Sequence, residues 1–537
     1  MGCISIPYRR LPHQPKLFVK LLDDFPSVAK FYAHPPSLEA IQHSAASLRF
    51  PSERRRQVSH VLREINRGFG SREATEKNIQ RLETGAAAVV SGQQVGLFGG
   101  PAYAFYKALS AIRVAEELTE AGTPAVPVFW MATEDHDLDE VRHVTWFKAG
   151  ALSRFELPAH DSNHVPVGHV KLGAEVEALT RAAVEQLAGP DAAGIANTLG
   201  ESYGPEETYG TAFGKLFARL FAEHGLILLD PLDPRLHRIG APVYKRALED
   251  REILNGMLLE RGKELEAFGV EPQVRVTTSS TLLFHMTADR REPVVAGDGV
   301  FQSGGQSWSQ ADAVGLAEIE PESFSPNALL RPVVQDYLLP TACFLGGPAE
   351  ISYLAQSEVA YRHLLGRMPV ILPRADFTIL DAKADKVLEH YGLCLENVWA
   401  GRQELRRKIE SIALPVDLAS DFDRKKEEIE LTLAKLGTDI QKLDASLAGA
   451  VEKTQSKMSF QLDSLRRKVA RALDEKAGLI TAKVEFLENL LHPNKMLQSR
   501  ELSLLPFLAQ WGAAGMKELH DLASIGNLKE HRIVRMA

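Results

Sequence analysis

Five short apolar runs constrain this chain most: AAAVV from Ala86, VPVFWM from Val126 to Met131, GLILLD from Gly225, TACFLGG from Thr341 and PVILPR from Pro369. Each is followed by loop residues and then by a helical pattern. Continuous apolar runs, rather than alternating ones, mark strands buried on both faces. Strands that alternate with helices predict a doubly wound parallel α/β sheet. About 95 residues lie between the second run and the third and about 110 between the third and the fourth, against ~30 for a plain βαβ unit. Insertions therefore interrupt the core, at about 148–203 and 262–324. The first holds the strand-like RFELP and VPVGHVKL and a helix over 174–187. The second holds VRVTTSSTLLFHM and a Gly/Ser/Gln loop, GDGVFQSGGQSWSQ.

Beyond Arg374 the pattern changes. Ile429, Leu433, Leu436, Ile440, Leu443 and Leu447 step by 4 and 3 alternately, and Met458, Leu462, Leu465 and Val469 resume the rhythm among dense charge. That is a coiled coil, and dimerisation is its natural use. Pro415 stops helix before it and His492-Pro493-Asn494 after it; Gly449 marks a turn between antiparallel arms, with one continuous helix as the alternative. The expected units are a core over 1–380, a coiled-coil domain over 381–492 and a C-terminal segment, 493–537, that returns to the core.

Composition excludes several classes. A net charge of −8 with mixed signs along the chain offers no basic stripe for nucleic acid. Cys3, Cys343 and Cys394 form no CxxC pair, so neither a disulfide framework nor a structural zinc site is readable, and a reducing cytoplasm is expected. No run long enough to span a membrane occurs, and MGCISIPYRR has Ile6 where a myristoylation signal has Ser or Thr.

The chemistry concentrates at strand ends. In SGQQVGLFGGPAYAFYKAL, from Ser91, the glycines permit tight turns and close approach of a ligand to backbone N–H groups, and Pro101 opens a helix whose N-terminus attracts an anion. FLGGPAEISYL, from Phe344, repeats the Gly-Gly-Pro-Ala junction, so two such loops at strand C-termini face one crevice. MATEDHDLDEV follows the second strand and places Glu134, Asp135, His136, Asp137, Asp139 and Glu140 together, where their mutual repulsion demands a cation or donor. GTAFGKL lacks Walker spacing and GDGVFQSGG lacks dinucleotide spacing. Lys457-Met458-Ser459 matches only part of a KMSKS signature and fits the coiled-coil seam.

SGQQVGLFGGPAYAFYKALSAI, VPVFWMATEDHDLDEV, FLGGPAEISYL and HPNKMLQSRE together resemble the cysteine ligases of bacillithiol biosynthesis, the BshC type, over nearly the whole chain. Ser499 stands where that family commonly has Glu. The resemblance implies a Rossmann-like core with connecting insertions, a dimerising coiled coil, and joining of the cysteine carboxyl to the glucosamine amine of glucosaminyl-malate. A free carboxylate is a poor acyl donor, so ATP, with or without Mg²⁺, is the expected activator. Expected catalytic residues are Glu134, Asp135, His136 and Asp137, with His136 or Asp137 as base. Expected substrate- or nucleotide-binding residues are Ser91, Gly92, Gln93, Gln94, Gly99, Gly100 and Tyr103 in the first loop, Gly346, Gly347, Glu350 and Tyr353 in the second, and Asn494, Gln498 and Arg500 in the last motif. Which loop holds phosphate and which holds malate stays open. Two other readings stand beside it: a scaffold with a degenerate nucleotide-binding core, and an ATP-dependent transferase acting on another small metabolite.

Overall fold

The computed structural model describes residues 4–159, 164–287, 290–412 and 416–536. All five apolar runs are strands of one parallel sheet: β1 (Ala87–Gln93), β2 (Ala125–Met131), β3 (Ile227–Leu229), β4 (Thr341–Gly346) and β5 (Val370–Pro373). Their order is β5-β4-β1-β2-β3, with Val90 opposite both Val128 and Phe344. β1 is therefore the strand from which the chain proceeds in both directions. The crevice between the carboxyl ends of β1 and β4 is the topological switch point, where ligands bind in open α/β sheets. Helix α1 (Ala102–Glu120) leaves the loop after β1, and α2 (Pro348–Leu364) leaves β4. Ser91 ties the two strands together: its Oγ donates to the Leu345 carbonyl at 2.7 Å.

The insertions form differently from their sequence expectation in two places. In the first, the strand Ala151–Glu156 pairs with His143–Lys148, but VPVGHVKL forms only a 3₁₀ turn at Val167–His169. Its alternation reflects Val167, Val170 and Leu172 packing on the core, with one isolated bridge from Lys171 to Thr208 in place of a ladder. In the second, GDGVFQSGGQSWSQ is not a loop. Val300–Ser303 and Gln306–Ser309 pair as a hairpin around Gly304 and Gly305, both at positive φ, as a tight two-residue turn requires. This hairpin extends an antiparallel five-stranded sheet that also contains Ser280–Met286, Arg291–Gly297 and Phe324–Pro326.

The heptad region is a hairpin of α3 (Val416–Leu443) and α4 (Ala448–Ala477). Lys426 pairs with Asp463 and Arg466 with Asp423, and Ser459 donates to Glu430. These three pairs share one antiparallel register. The turn is centred on 444–447, where Asp444 Oδ1 accepts the Ser446 N–H at 2.9 Å; Gly449 lies inside α4. Pro415 and Cys3 lie outside the described residues. His492 does end the helix Leu479–Leu491. At the C-terminus, Glu530–Arg535 runs between Ile4–Pro7 and Phe377–Leu380, which sews both chain ends beside the core. No helix among the described residues is long and apolar enough to cross a membrane.

Candidate functional site

A cavity of about 690 Å³ opens at the switch point, large enough for a small-molecule ligand. Its lining draws on the loop after β1, the acidic segment after β2, the antiparallel insertion sheet, the first turns of α2 and the C-terminal segment.

The loop after β1 has two halves with different work. Gly92, Gln93 and Gln94 line the cavity. Gly92 is required by packing, because a Cβ there would lie 2.5 Å from the Trp130 carbonyl of β2. Gln93 donates to the Tyr103 hydroxyl at 3.1 Å and Gln94 to Asp135 Oδ2 at 2.7 Å. Gly99 and Gly100 are the anchoring half, outside the lining. The Gly99 N–H is shared between the Gly96 carbonyl and the Tyr203 hydroxyl, and the Gly100 N–H goes to Leu97. Between them and the cavity-facing half, Phe98 holds a left-handed backbone, φ 49°, against the rings of Trp146, Phe155 and Tyr203. These N–H groups do not cradle an anion.

The second loop is also closed on itself. The Glu350 carboxylate accepts the Gly347 N–H at 2.8 Å, and the Gly346 carbonyl accepts from Arg374. Gly347, Glu350 and Tyr353 line the cavity; Gly346 lies behind them. The cavity is also lined by Lys107, Arg331 and Arg374, which were not among the expected site residues. Lys107, on α1, is buried, donates to the Gly92 carbonyl and to Gln93 Oε1 at 2.7 Å, and pairs with Glu350. Burial pulls its ammonium below the usual value and Glu350 opposes that shift. Arg331 donates to the Tyr353 hydroxyl at 3.1 Å. Arg374 pairs with Asp376 at 2.7 Å through Nη1, while its buried Nε has no partner. An orphaned guanidinium N–H beside a cavity is a ready anion donor. Six Lys or Arg residues line the cavity against four acids, so its balance favours an anionic ligand.

Three of the four acids, Glu134, Asp135 and Glu140, come from the segment after β2. Glu134 is buried at the floor, and burial raises its carboxyl to about 8. Its Oε1 lies 3.6 Å from His237 Nε2, and neither atom has a hydrogen-bond partner. His237, whose Nδ1 sits 3.3 Å from the Tyr244 hydroxyl, is lowered by burial to about 4. Asp135 is half exposed and held by Gln94 through Oδ2 and by the His136 N–H through Oδ1. His136 Nδ1 faces the Arg291 guanidinium at 3.1 Å. Arginine only donates, so Nδ1 is the acceptor and Nε2 carries the ring proton. Such a ring is a poor proton acceptor. Asp137 is exposed, lies outside the lining, and caps Leu138–Val141 by accepting the Glu140 N–H at 3.1 Å. The base role assigned to His136 or Asp137 on sequence does not match these positions. Glu134 and Asp135 line the cavity.

Only Arg500 of the last motif reaches the cavity. Gln498 is a buried clamp: its amide accepts from the Ile379 N–H at 2.6 Å and donates to the carbonyls of Ile379 and Leu490 at 2.9 Å. Asn494 binds Glu501 Oε1, which also accepts from Thr145. Ser499 is buried with an unpaired hydroxyl. Lys107 and Arg374 carried a readable signal: a cation set among apolar residues in the first half of α1 and one directly after a buried strand. Arg291, Arg331 and His237 carried none.

Two family models cover the chain: "Bacillithiol biosynthesis BshC, N-terminal Rossmann-like domain" matches residues 1–375, and "Bacillithiol biosynthesis BshC, C-terminal coiled-coil domain" matches residues 377–536. Proteins named "Putative cysteine ligase BshC" are similar over their full length. The one from Koribacter versatilis is 40% identical over 99% of both chains. The one from Solibacter usitatus is 35% identical over 99% of this chain and 100% of its own, and that from Salinibacter ruber 31% over 97% and 96%. With its parallel core, its antiparallel helical hairpin and these matches, the chain belongs to the BshC family of bacillithiol biosynthesis.

Proposed function

We propose that this protein is an amide-forming cysteine ligase that joins the carboxyl of cysteine to the glucosamine amine of glucosaminyl-malate. The relatives' shared name supports the cysteine ligase reading. The observation that carries it to the substrates is that the switch-point cavity is lined by both signs of charge, six Lys or Arg residues and four acids. The acceptor joins a dicarboxylate to an amino sugar, and the two kinds of charge match its two ends. Arg374 Nε, Arg331 and Arg500 bind carboxylate or phosphate oxygens. Asp135 and Glu134 receive the ammonium and orient it.

Cysteine carboxylate cannot be attacked directly, because an oxide is too poor a leaving group; ATP supplies the activation by turning that oxygen into a phosphate-linked leaving group. The same cationic side chains fit a nucleotide phosphate, and the closed Gly99, Gly100 and Gly347 N–H groups argue that side chains, not a glycine cradle, hold it. For attack, the ammonium must lose one proton. Asp135, fixed by Gln94, takes that proton; the freed amine forms the C–N bond as the activated C–O bond breaks, and the departing phosphate-linked oxygen carries away the second proton of the nitrogen. His136 lines the same cavity, with Nε2–H as a donor to a developing oxyanion. The coiled-coil hairpin leaves Leu436, Leu443, Phe460 and Leu465 exposed, an apolar face that a second copy of the hairpin covers in a homodimer.

Incubation of the purified protein with ATP, cysteine and glucosaminyl-malate, with products weighed by mass spectrometry, tests the reading. The expected product is the mass of both substrates less one water. No such product supports the scaffold reading; an adduct formed only with another acceptor supports a different transferase.

A further inference from the structure

At the far end of α1 from the cavity, three residues remote in sequence converge. Glu116 lies nine residues beyond Lys107, about 14 Å along the helix at its usual rise. His224 lies in the 3₁₀ turn Ala222–His224 that precedes β3, and His520 in the helix Ala513–Leu522 of the C-terminal segment. One imidazole nitrogen from each histidine and one Glu116 oxygen all lie within 4.8 Å of one another. His520 Nε2 is 2.7 Å from Glu116 Oε2, and the two imidazole rings stack with centroids 4.9 Å apart.

We propose that Glu116, His224 and His520 bind a divalent transition ion of the zinc class. Two imidazoles and one carboxylate are the ligand set that borderline ions such as Zn²⁺ and Co²⁺ take, with a position left for solvent. Two further observations fit. The Nδ1 of His520 faces Asp521 Oδ1 at 3.3 Å, the carboxylate partner that metal-ligating histidines usually have on their second nitrogen and that fixes Nε2 as the ligand atom. A cleft of about 220 Å³ lined by Asn78, Arg81, Glu116, Thr119 and His224 adjoins the cluster and gives the ion an entry path and an open coordination position. Arg113 reaches Glu116 Oε2 at 3.5 Å as a part-buried i,i+3 contact, which the ion displaces. The ion would staple the C-terminal helix to α1 and to the approach of β3. It lies apart from the switch-point cavity, and its function is independent of the ligase chemistry.

The test uses the full-length protein, stripped by chelator and dialysed, titrated with Co²⁺ followed by visible d–d absorption and with Zn²⁺ by calorimetry. The wild type is expected to take up one equivalent more than the His224→Ala variant and than the His520→Ala variant, with a higher melting temperature in Zn²⁺. Asp521→Asn should weaken binding about tenfold, the scale at which outer carboxylates act. His224→Ala leaves the His520–Glu116 pair intact, so its apo form should melt near the wild type and separate ligand loss from misfolding. Wild type without an added equivalent, or equal uptake by His224→Ala, overturns the proposal.

Discussion

Glu134 Oε1 and His237 Nε2 face each other at 3.6 Å beneath the cavity, neither atom with a hydrogen-bond partner, and the opposite shifts of the two groups give a pH signature. A carboxyl raised from 4.5 to about 8 holds its proton more tightly in the folded state. Its contribution to stability is present at low pH and is lost as pH rises between those values. A histidine lowered from 6.5 to about 4 does the reverse, adding stability as pH rises through that interval. The slopes oppose each other below pH 6.5, and Glu134 acts alone from 6.5 to about 8. Melting temperature should therefore fall across that window in the wild type and fall less in Glu134→Gln; equal slopes would remove Glu134 as the titrating group. Asp135→Asn should lower amide formation by about 100-fold or more, the range for loss of general base catalysis. Asp137→Asn, which keeps a good N-cap, should stay within a few-fold of wild type. Arg500→Ala, exposed and unneeded for packing, should raise KM for the anionic substrate about tenfold, as loss of one charge-assisted hydrogen bond does, with stability within about 0.5 kcal/mol.

Among elements, the five strands were legible because burial on both faces leaves no room for polar residues, so each appears as an unbroken apolar run. The echo of Gly-Gly-Pro-Ala located β1 and β4 as partners in one crevice. The roles within those loops were not legible. Gly99 and Gly100 look like ligand-facing glycines, yet their N–H groups are consumed by Gly96, Leu97 and Tyr203, the last from an insertion about a hundred residues away. Arg331 is a single cation and Arg291 the second of an Arg pair, and the burial of both depends on contacts remote in sequence. Gln498 appears as a motif residue and proves to be a clamp on Phe377–Leu380. Gln498→Ala would orphan the Ile379 and Leu490 backbone groups, so a loss of about 3 kcal/mol or more is expected. Chemical denaturation measures it, and an unchanged midpoint would contradict the clamp role.

Over the whole molecule, the C-terminal segment completes both ends of the architecture: Arg500 reaches the cavity, while Glu530–Arg535 bridges the first and last units of the chain. The hairpin of α3 and α4 carries its heptads only part-covered, which is why its sequence reads as a longer coiled coil than two short arms complete. Dimerisation through that face predicts a twofold mass by light scattering and a monomer on Leu436→Glu with Phe460→Glu. The proposed ligase reaction requires the switch-point cavity to couple ATP consumption to one amide bond between cysteine and the amino-sugar acceptor. The most direct measurement is the stoichiometry of amide product against ATP consumed by the purified wild type, with ATP omitted in a parallel reaction. One ATP consumed per amide formed, and none formed without ATP, is the predicted result; amide formation at the same rate without ATP, or ATP consumption with no amide, would contradict it.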